Sequence, residues 1–598
     1  MVGPRRCFIH LKEVTSSRSI AYLRKWFPAA ILIGVAAGAA SMAFWIALNW
    51  TTELFLGLGA GFVPPLPAGE GATLVTGVGR RWMIPVVTTL GGLLSGVIAY
   101  KLAPQAAGDG VDAAVESFHY GRGLIHPRTP LIKIIASAIT IGSGGSAGRE
   151  GPIALIGAGC GSLVGRLLGL GGRDLRLALV AGLGAGLGSI FKAPFGGALL
   201  SVEILYLDGF EVEALIPSFV ATIVAYSIFA SWLGFAPMFG EHVAVAFHNP
   251  KILSSYAMLG ILCGVVGILY AITFHNVRNF FGKSKIPERY RAAIGGLLTG
   301  LIGLALPQVL GTGYGWLQLA MQPGTLSLVV LVALVFAKIV ATSCSVGSGG
   351  SGGVFAPGLV IGGMLAASLW TAGQHTVISS LLPNDPYPFV LVGMMALFGA
   401  ISHAPVAVII MVTEMSGTYT ILAPAMIAVG LAYVIVGRNT IYQSQVSSPS
   451  ASPAHRYEYA SPLLRVMKVR DAMIIDCPTL FPRSSLEMAA KLVTECRTDV
   501  PVVNEAGELI GIIAKEDILP VPNEQRSMME VGNVMTTDLI VTNPEETLER
   551  ALELMVSRGI AALPVVERRD SRRLLGLVTR NSIIQAYESE VRKLMQEG

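Results

Sequence analysis

Gly142-Ser-Gly-Gly-Ser-Ala-Gly-Arg-Glu-Gly-Pro152 aligns without a gap on Gly347-Ser-Gly-Gly-Ser-Gly-Gly-Val-Phe-Ala-Pro357, with seven identities in eleven positions. A second pair follows in the same order. Ala193-Pro194 precedes Glu203 by the interval at which Ala404-Pro405 precedes Glu414, and the two offsets are 205 and 211 residues. Such distant repeats in apolar sequence indicate a membrane domain built from two related halves. The basic cluster Arg278, Lys283, Lys285, Arg289 and Arg291 places their junction near 278–291.

Each glycine loop runs into an apolar helix, so unpaired N–H groups and the positive end of the helix dipole face the loop and attract anions. Partial charges suit a permeating ion better than a buried Lys or Arg, because the ion must leave again. Neither loop carries the lysine of a phosphate-cradling loop, and no strand or later acid completes a dinucleotide fingerprint. The competing reading, that the glycines only let helices pack closely, explains one loop better than a matched pair. Glu150 opens the helix after the first loop. A carboxylate inside a membrane domain is costly and marks function. At a helix start it can occupy an anion site as a tethered competitor, released by protonation. The alternative is an acid paired with its neighbour Arg149. Glu203 and Glu414, at matched positions, read as structural.

Composition agrees with this reading. Of 598 residues, 53% are apolar and 14% charged, and 64 of the 70 glycines precede Ser461. The last 138 residues hold 17 Lys+Arg and 21 Asp+Glu, against 26 and 17 in the first 460. A polytopic membrane domain is thus followed by a soluble one. The net charge of +5 sums two unlike parts and implies no nucleic-acid partner. Apolar stretches recur from Trp26 to about residue 436, many too short to span a bilayer, so they end inside protein or at a wet cavity. Arg5, Arg6, Lys12, Arg18, Arg24 and Lys25 predict a basic cytoplasmic N-terminus over 1–25. The six scattered cysteines suit neither a disulfide framework nor a zinc site.

Gly148-Arg-Glu-Gly-Pro152 resembles the gating-glutamate motif of the CLC family of chloride channels and chloride/proton exchangers. Gly353-Val-Phe-Ala-Pro357 resembles its second anion-site motif, and Tyr442 in Ile-Tyr-Gln-Ser its inner-gate tyrosine. The resemblance covers roughly 25–445. It implies an all-α polytopic membrane domain over 26–445, an inverted repeat of broken, tilted helices with halves of about 26–277 and 292–445. It also implies a homodimer in the plasma or inner membrane, with one anion path per subunit. Gly148, Arg149, Gly151, Gly353, Val354, Phe355, Ala356 and Tyr442 are the implied anion-binding residues, the amides of Val354 and Phe355 foremost, with Glu150 as gate. Chloride and related monovalent anions are the implied substrates; no cofactor, metal or catalytic group is required.

Two departures from the family pattern stand out. The first anion motif usually reads Gly-Ser-Gly-Ile-Pro, whereas Gly108, Asp109, Gly110, Val111 and Asp112 stand here. An ionised Asp109 repels chloride unless it turns away, pairs with a cation or is protonated. Family exchangers commonly carry an internal proton glutamate directly after another glutamate. Here Glu203 aligns with the first of that pair and Ile204 takes the proton position. Family channels carry an apolar residue there, so passive conduction is expected, with chloride/proton exchange as the alternative.

Residues 446–465 are Ser/Pro-rich and read as a linker. Beyond them Val469-Arg-Asp-Ala-Met473 pairs with Val531-Gly-Asn-Val-Met535, and Val500-Pro-Val-Val503 with Leu563-Pro-Val-Val566. These repeats resemble a tandem pair of cystathionine-beta-synthase (CBS) domains, a cytoplasmic α/β module over 466–525 and 526–590. In that family an adenine nucleotide can bind between the copies, which makes Asp517 and Thr579 candidate ligands. Each copy keeps only half of the pattern, an acid without a hydroxyl at Ala514-Lys-Glu-Asp517 and the reverse at Thr579-Arg-Asn-Ser582. A purely tethering module is the alternative. CBS pairs also accompany divalent-cation carriers, but those need carboxylate or carbonyl cages where these loops offer N–H groups. No nucleophile–base set or H-E-x-x-H cluster supports an enzyme. His403 is a lone residue. A fluoride-selective relative fits Pro152 and Phe355 less well.

Overall fold

The computed structural model describes residues 5–71, 77–240, 250–374, 376–455, 463–496 and 498–597, with side chains described between Tyr22 and Val591 except at 377–378. The chain divides into two units, Met1–Ala454 and His455–Gly598. The described residues of the first contain helices α1 (Arg5–Thr52), α2 (Met83–Leu102), α3 (Gly110–His119), α4 (Arg128–Gly142), α5 (Glu150–Leu167), α6 (Gly172–Ile190), α7 (Pro194–Glu203) and α8 (Leu215–Leu233). They continue with α9 (Leu253–Lys283), α10 (Glu288–Ala305), α11 (Tyr314–Ala320), α12 (Leu328–Gly347), α13 (Phe355–Gly373), α14 (Pro386–Ile401), α15 (Pro405–Ser416) and α16 (Leu422–Val436). Among the described residues six helical stretches are long and apolar enough to cross a membrane, including Tyr22–Ala60, Pro250–Lys283 and Leu328–Gly347. The helix of α1 runs on through Arg5–Lys25, where a separate segment was expected; the side chains of Arg5, Arg6, Lys12 and Arg18 lie outside the described ones.

The packing repeats with a step of eight helices. Helix α1 lies on α4, α6 and α8 as α9 lies on α12, α14 and α16, and α5 on α6 as α13 on α14. The second half therefore opens with α9, upstream of the junction read at 278–291. The basic cluster there is the flank of the α9–α10 hairpin; Lys and Arg mark a membrane face, not a repeat boundary. The halves meet antiparallel. A Cβ on Gly92 would touch the Ala292 carbonyl at 2.2 Å and one on Gly296 the Thr88 carbonyl at 2.3 Å, so glycines let α2 and α10 make backbone contact. The same device recurs within each half, where a Cβ on Gly157 or Gly362 would stand 2.2 Å from the carbonyl oxygen of Gly182 or Gly393.

At the other seam Glu203 accepts the N–H groups of Val406 and Ala407 at 3.2 and 2.6 Å. Glu414 accepts those of Phe195 and Gly196 at 3.2 and 2.7 Å. Each carboxylate thus satisfies orphan donors at the start of the other half's helix, α15 or α7.

The stretch read as a linker is held down at its start. Leu207 and Asp208 donate to the carbonyls of Val446 and Ser447 at 2.9 and 3.0 Å. Ser452 Oγ meets His119 Nδ1 at 2.8 Å, and Arg176 donates to the Ala454 carbonyl at 3.1 Å. Extended backbone with free polar groups pairs with the chain after α7, whatever its Ser/Pro content. Residues 456–462 lie outside the described ones.

The second unit holds α17 (Leu486–Cys496), β1 (Val500–Val503), β2 (Leu509–Ile513), α18 (Lys515–Ile518), α19 (Leu548–Arg558), β3 (Ala562–Glu567), β4 (Asp570–Thr579) and α20 (Arg580–Glu597). β1 pairs antiparallel with β2 and β3 with β4. Its two copies exchange leading segments. Val469 is buried with Leu548, Leu563 and Val578, whereas Val531 is buried with Leu486, Val500 and Ile513. The copies read at 466–525 and 526–590 therefore share their cores.

Candidate anion site

The two glycine loops clasp one another. Gly148 and Gly353 exchange N–H···O bonds of 2.7 and 2.8 Å, and Gly144 and Gly349 share a left-handed φ of 99° that a side chain would strain. The repeat equivalents Ser137/Thr342 and Ser146/Ser351 cross-pair over the clasp, Ser137 with Ser351 at 2.7 Å and Ser146 with Thr342 at 2.9 Å. The N–H groups of Gly148 and Gly353 are consequently spent on each other. They hold the loops rather than an anion, which corrects the expected role of both residues.

The clasp brings the starts of α5 and α13 together. Glu150, fully buried, accepts the Tyr314 hydroxyl at 2.6 Å and the Ala356 N–H at 3.2 Å. Its carboxylate folds over Gly148, where a Cβ would overlap Glu150 Oε2 at 1.9 Å. Arg149 is not its partner. The guanidinium points elsewhere and grips both oxygens of Glu70, with Nη1 to Oε2 at 3.1 Å, above the Tyr314 ring at 5.7 Å. Successive helix residues diverge by about 100°, so adjacency in sequence does not make a pair.

Asp109 does not turn away. Its Oδ1 accepts the Val354 N–H at 3.3 Å and its Oδ2 the Asp112 N–H at 3.0 Å, which makes it the N-cap of α3. Close by, Lys133 Nζ donates to the carbonyls of Ala106 and Gly108 at 3.1 and 2.8 Å. In the other half Lys338 Nζ donates to Val309 and Gly311, both at 2.8 Å. These lysines stand at the offset of the glycine loops, the signal that could have found them; Glu70 and Tyr314 carried no such mark.

Two amides at the start of α13 thus each meet a carboxylate, Val354 from Asp109 and Ala356 from Glu150. Between them the Phe355 N–H has no acceptor among the described residues. The Phe355 ring lies 4.3 Å from Phe398, itself 6.5 Å from Tyr442. The buried Tyr442 hydroxyl meets no partner among the described residues. Ile204 is buried at the end of α7, its carbonyl accepting Gln445 Nε2 at 2.9 Å.

Two cavities border this cluster. One of about 320 Å³ is lined by Tyr100, Gly108, Asp109, Asp112, Arg278 and Arg291. The other, of about 700 Å³, is lined by Leu66, Glu70, Arg149, Gly311 and Tyr314 among others.

The family model described as voltage gated chloride channel matches residues 91–437. The chain belongs to this family, the CLC family. Its second unit is matched by the CBS domain model at 469–523 and 531–589. A protein of Ralstonia nicotianae named for its likeness to the chloride channel ClcB is 32% identical over 357 residues, which are 59% of this chain and 82% of that protein. A slow cyanobacterial Cl⁻/H⁺ antiporter superposes with a TM-score of 0.61 at 23% identity, covering 70% of this chain and 96% of that one. A CLC-type fluoride/proton antiporter gives 0.60 at 20% identity, covering 71% and 98%. This CLC protein is therefore an integral membrane protein of a chloride-transporting family with a CBS pair.

In the CBS pair the two candidate nucleotide ligands are not brought together. Asp517 lines a cavity of about 290 Å³ while its Oδ2 accepts the Ala514 N–H at 2.8 Å. Thr579 is absent from that lining and accepts the Ser582 N–H at 3.0 Å at the start of α20. Asp499, Glu516 and Asp538 join Asp517 around the cavity, which no Lys or Arg lines among the described residues. Such a lining does not fit the phosphates of a nucleotide. Burial first, then Glu516 and Asp517, pushes the Asp499 carboxyl up to about 6. An unfolded carboxylate titrates near 4, so the native state binds the extra proton between about pH 4 and 6, and stability falls as pH rises through that window. Asp499→Asn should therefore stabilise the second unit by about 1 kcal/mol at pH 7.5, allowing for partial solvent screening. The gain should vanish below about pH 4. Hydrogen exchange of β1 and β2 in the full-length protein measures it.

Proposed function

We propose that this CLC protein conducts chloride and related monovalent anions through a path over the first amides of α13, with Glu150 as gate. The observation that carries this reading is the Glu150 carboxylate on the Ala356 N–H, where it stands in for the permeant anion. The free Phe355 N–H and Tyr442 hydroxyl supply neighbouring donors without a fixed cation, so an ion is held and released. Positive charge on the α9–α10 hairpin makes the Asp109 cavity cytoplasmic, and the N-terminus and CBS pair share that side in this reading. The protein works as the homodimer that its family resemblance implies. The CBS pair serves as a tether rather than a nucleotide sensor.

Ile204 favours passive conduction, because it stands where family exchangers carry their proton glutamate, and Glu203 just before it is held by the Val406 and Ala407 N–H groups. Exchange against protons is the second reading, favoured by the antiporters among the similar structures. Proteoliposomes loaded with chloride separate the two. Efflux should depend on a potassium ionophore and move no protons against their gradient; uphill proton movement driven by chloride supports exchange instead.

A further inference from the structure

We propose that Asp109 is a second tethered competitor, an inner carboxylate gate in series with Glu150; this rests on the anion path proposed above. Three observations converge. The Val354 and Ala356 amides are two residues apart on one helix start, and each is held by a carboxylate from a different loop. Asp109 Oδ1 is wedged at the start of α5 as well, 2.6 Å from where a Cβ on Gly151 would sit. The same residue lines the 320 Å³ cavity, so an ion arriving from it meets Asp109 before any amide of α13.

The groups around Asp109 explain how it can be held and released. Lys133 of α4 sits on the preceding carbonyl, Gly108, and balances its charge. Asp112, on its own helix, is bound at 3.1 Å by Arg278 of α9 and at 2.8 Å by the Ser444 N–H. Tyr270 of α9 donates to the Val354 carbonyl at 3.1 Å, and Tyr442 and Glu150 lie deeper along the path. Arg278, Arg291 and Glu116 face the cavity into which Asp109 can swing. An ionised carboxylate only accepts hydrogen bonds, so it excludes an anion from Val354; once protonated, its O–H can donate to one. Protonation thus turns the inner competitor into a ligand.

Chloride efflux is measured from proteoliposomes with a potassium ionophore at symmetric pH 7.5 and 5.5, using the full-length chain. Glu150→Gln keeps the outer carboxylate neutral, so the remaining pH response belongs to the inner gate. That variant should still gain about tenfold in flux on acidification. Glu150→Gln with Asp109→Asn should be fast at pH 7.5 and change by less than about twofold. Asp109→Ser repeats the test should the Asn variant not elute as a single species. A flat Glu150→Gln profile, or a double variant that keeps the rise, overturns the inner gate and leaves the anion path standing. Flux no greater than in protein-free liposomes, for native and variants alike, overturns the path itself and the gate with it.

Discussion

With the α9–α10 hairpin side held at pH 7.5, acidifying the opposite solution should raise native chloride current at least about tenfold and leave Glu150→Gln unchanged. The size follows from the geometry. Glu150 holds the Ala356 N–H at 3.2 Å in a fully buried site, so an incoming anion meets both an occupied donor and a like charge. Two unit charges about 4 Å apart repel by about 4 kcal/mol at an effective dielectric of 20, worth up to about three decades in rate. Protonation removes that barrier, and the protonated fraction grows about tenfold per pH unit while the group is mostly ionised. Glutamine keeps the shape and can still accept the Ala356 N–H, with its NH2 donating to the Tyr314 hydroxyl oxygen, but carries no charge. Bilayer recordings with pH changed on one side make the comparison. A Glu150→Gln current that still follows outer pH places the gate elsewhere.

The second large effect concerns Glu70. Its pair with Arg149 is almost wholly buried, at 5% and 4% side-chain exposure, and Arg149 Nε finds no further partner among the described residues. Removing one member of such a pair leaves an uncompensated charge and costs about 3–5 kcal/mol. Glu70→Gln should therefore destabilise the membrane unit by that amount, measured by thermal unfolding in detergent. It should also free the guanidinium to turn to Glu150, holding the gate ionised and lowering flux at neutral pH. Replacing both residues, Glu70→Leu with Arg149→Met, should restore most of the stability, because an apolar pair of similar volume needs no compensation. A Glu70→Gln protein as stable as the native one contradicts the assigned pairing.

These residues show what a sequence conveys. The kinship of the two glycine loops was legible because a pseudo-two-fold axis forces equal backbone shapes on both, and equal shapes at left-handed positions require the same glycines; that Gly148 and Gly353 bond to each other was not. A second offset, of 211 residues, led from Glu203 to Glu414, and their reciprocal capping explains their matched positions. The Arg149–Glu70 pair was not legible. Glu70 lies 79 residues upstream in a Pro- and Gly-rich stretch without periodicity, and only packing brings it to the helix start. The half boundary was misplaced because charge density reports membrane flanks and says nothing of repeat order. The exchanged segments of the CBS copies were hidden likewise, since Val469 and Val531 would look equally apolar in either core.

A carboxylate and a permeant anion compete for the same amides. Bromide is a chloride analogue that anomalous X-ray scattering locates directly, in crystals of the native protein and of Glu150→Ala grown with it. The account predicts a bromide peak within about 3.5 Å of the Ala356 and Phe355 amide nitrogens in the variant, and none on Ala356 in the native protein. A variant without that peak, or a native protein in which bromide and the Glu150 carboxylate share the Ala356 N–H, contradicts it.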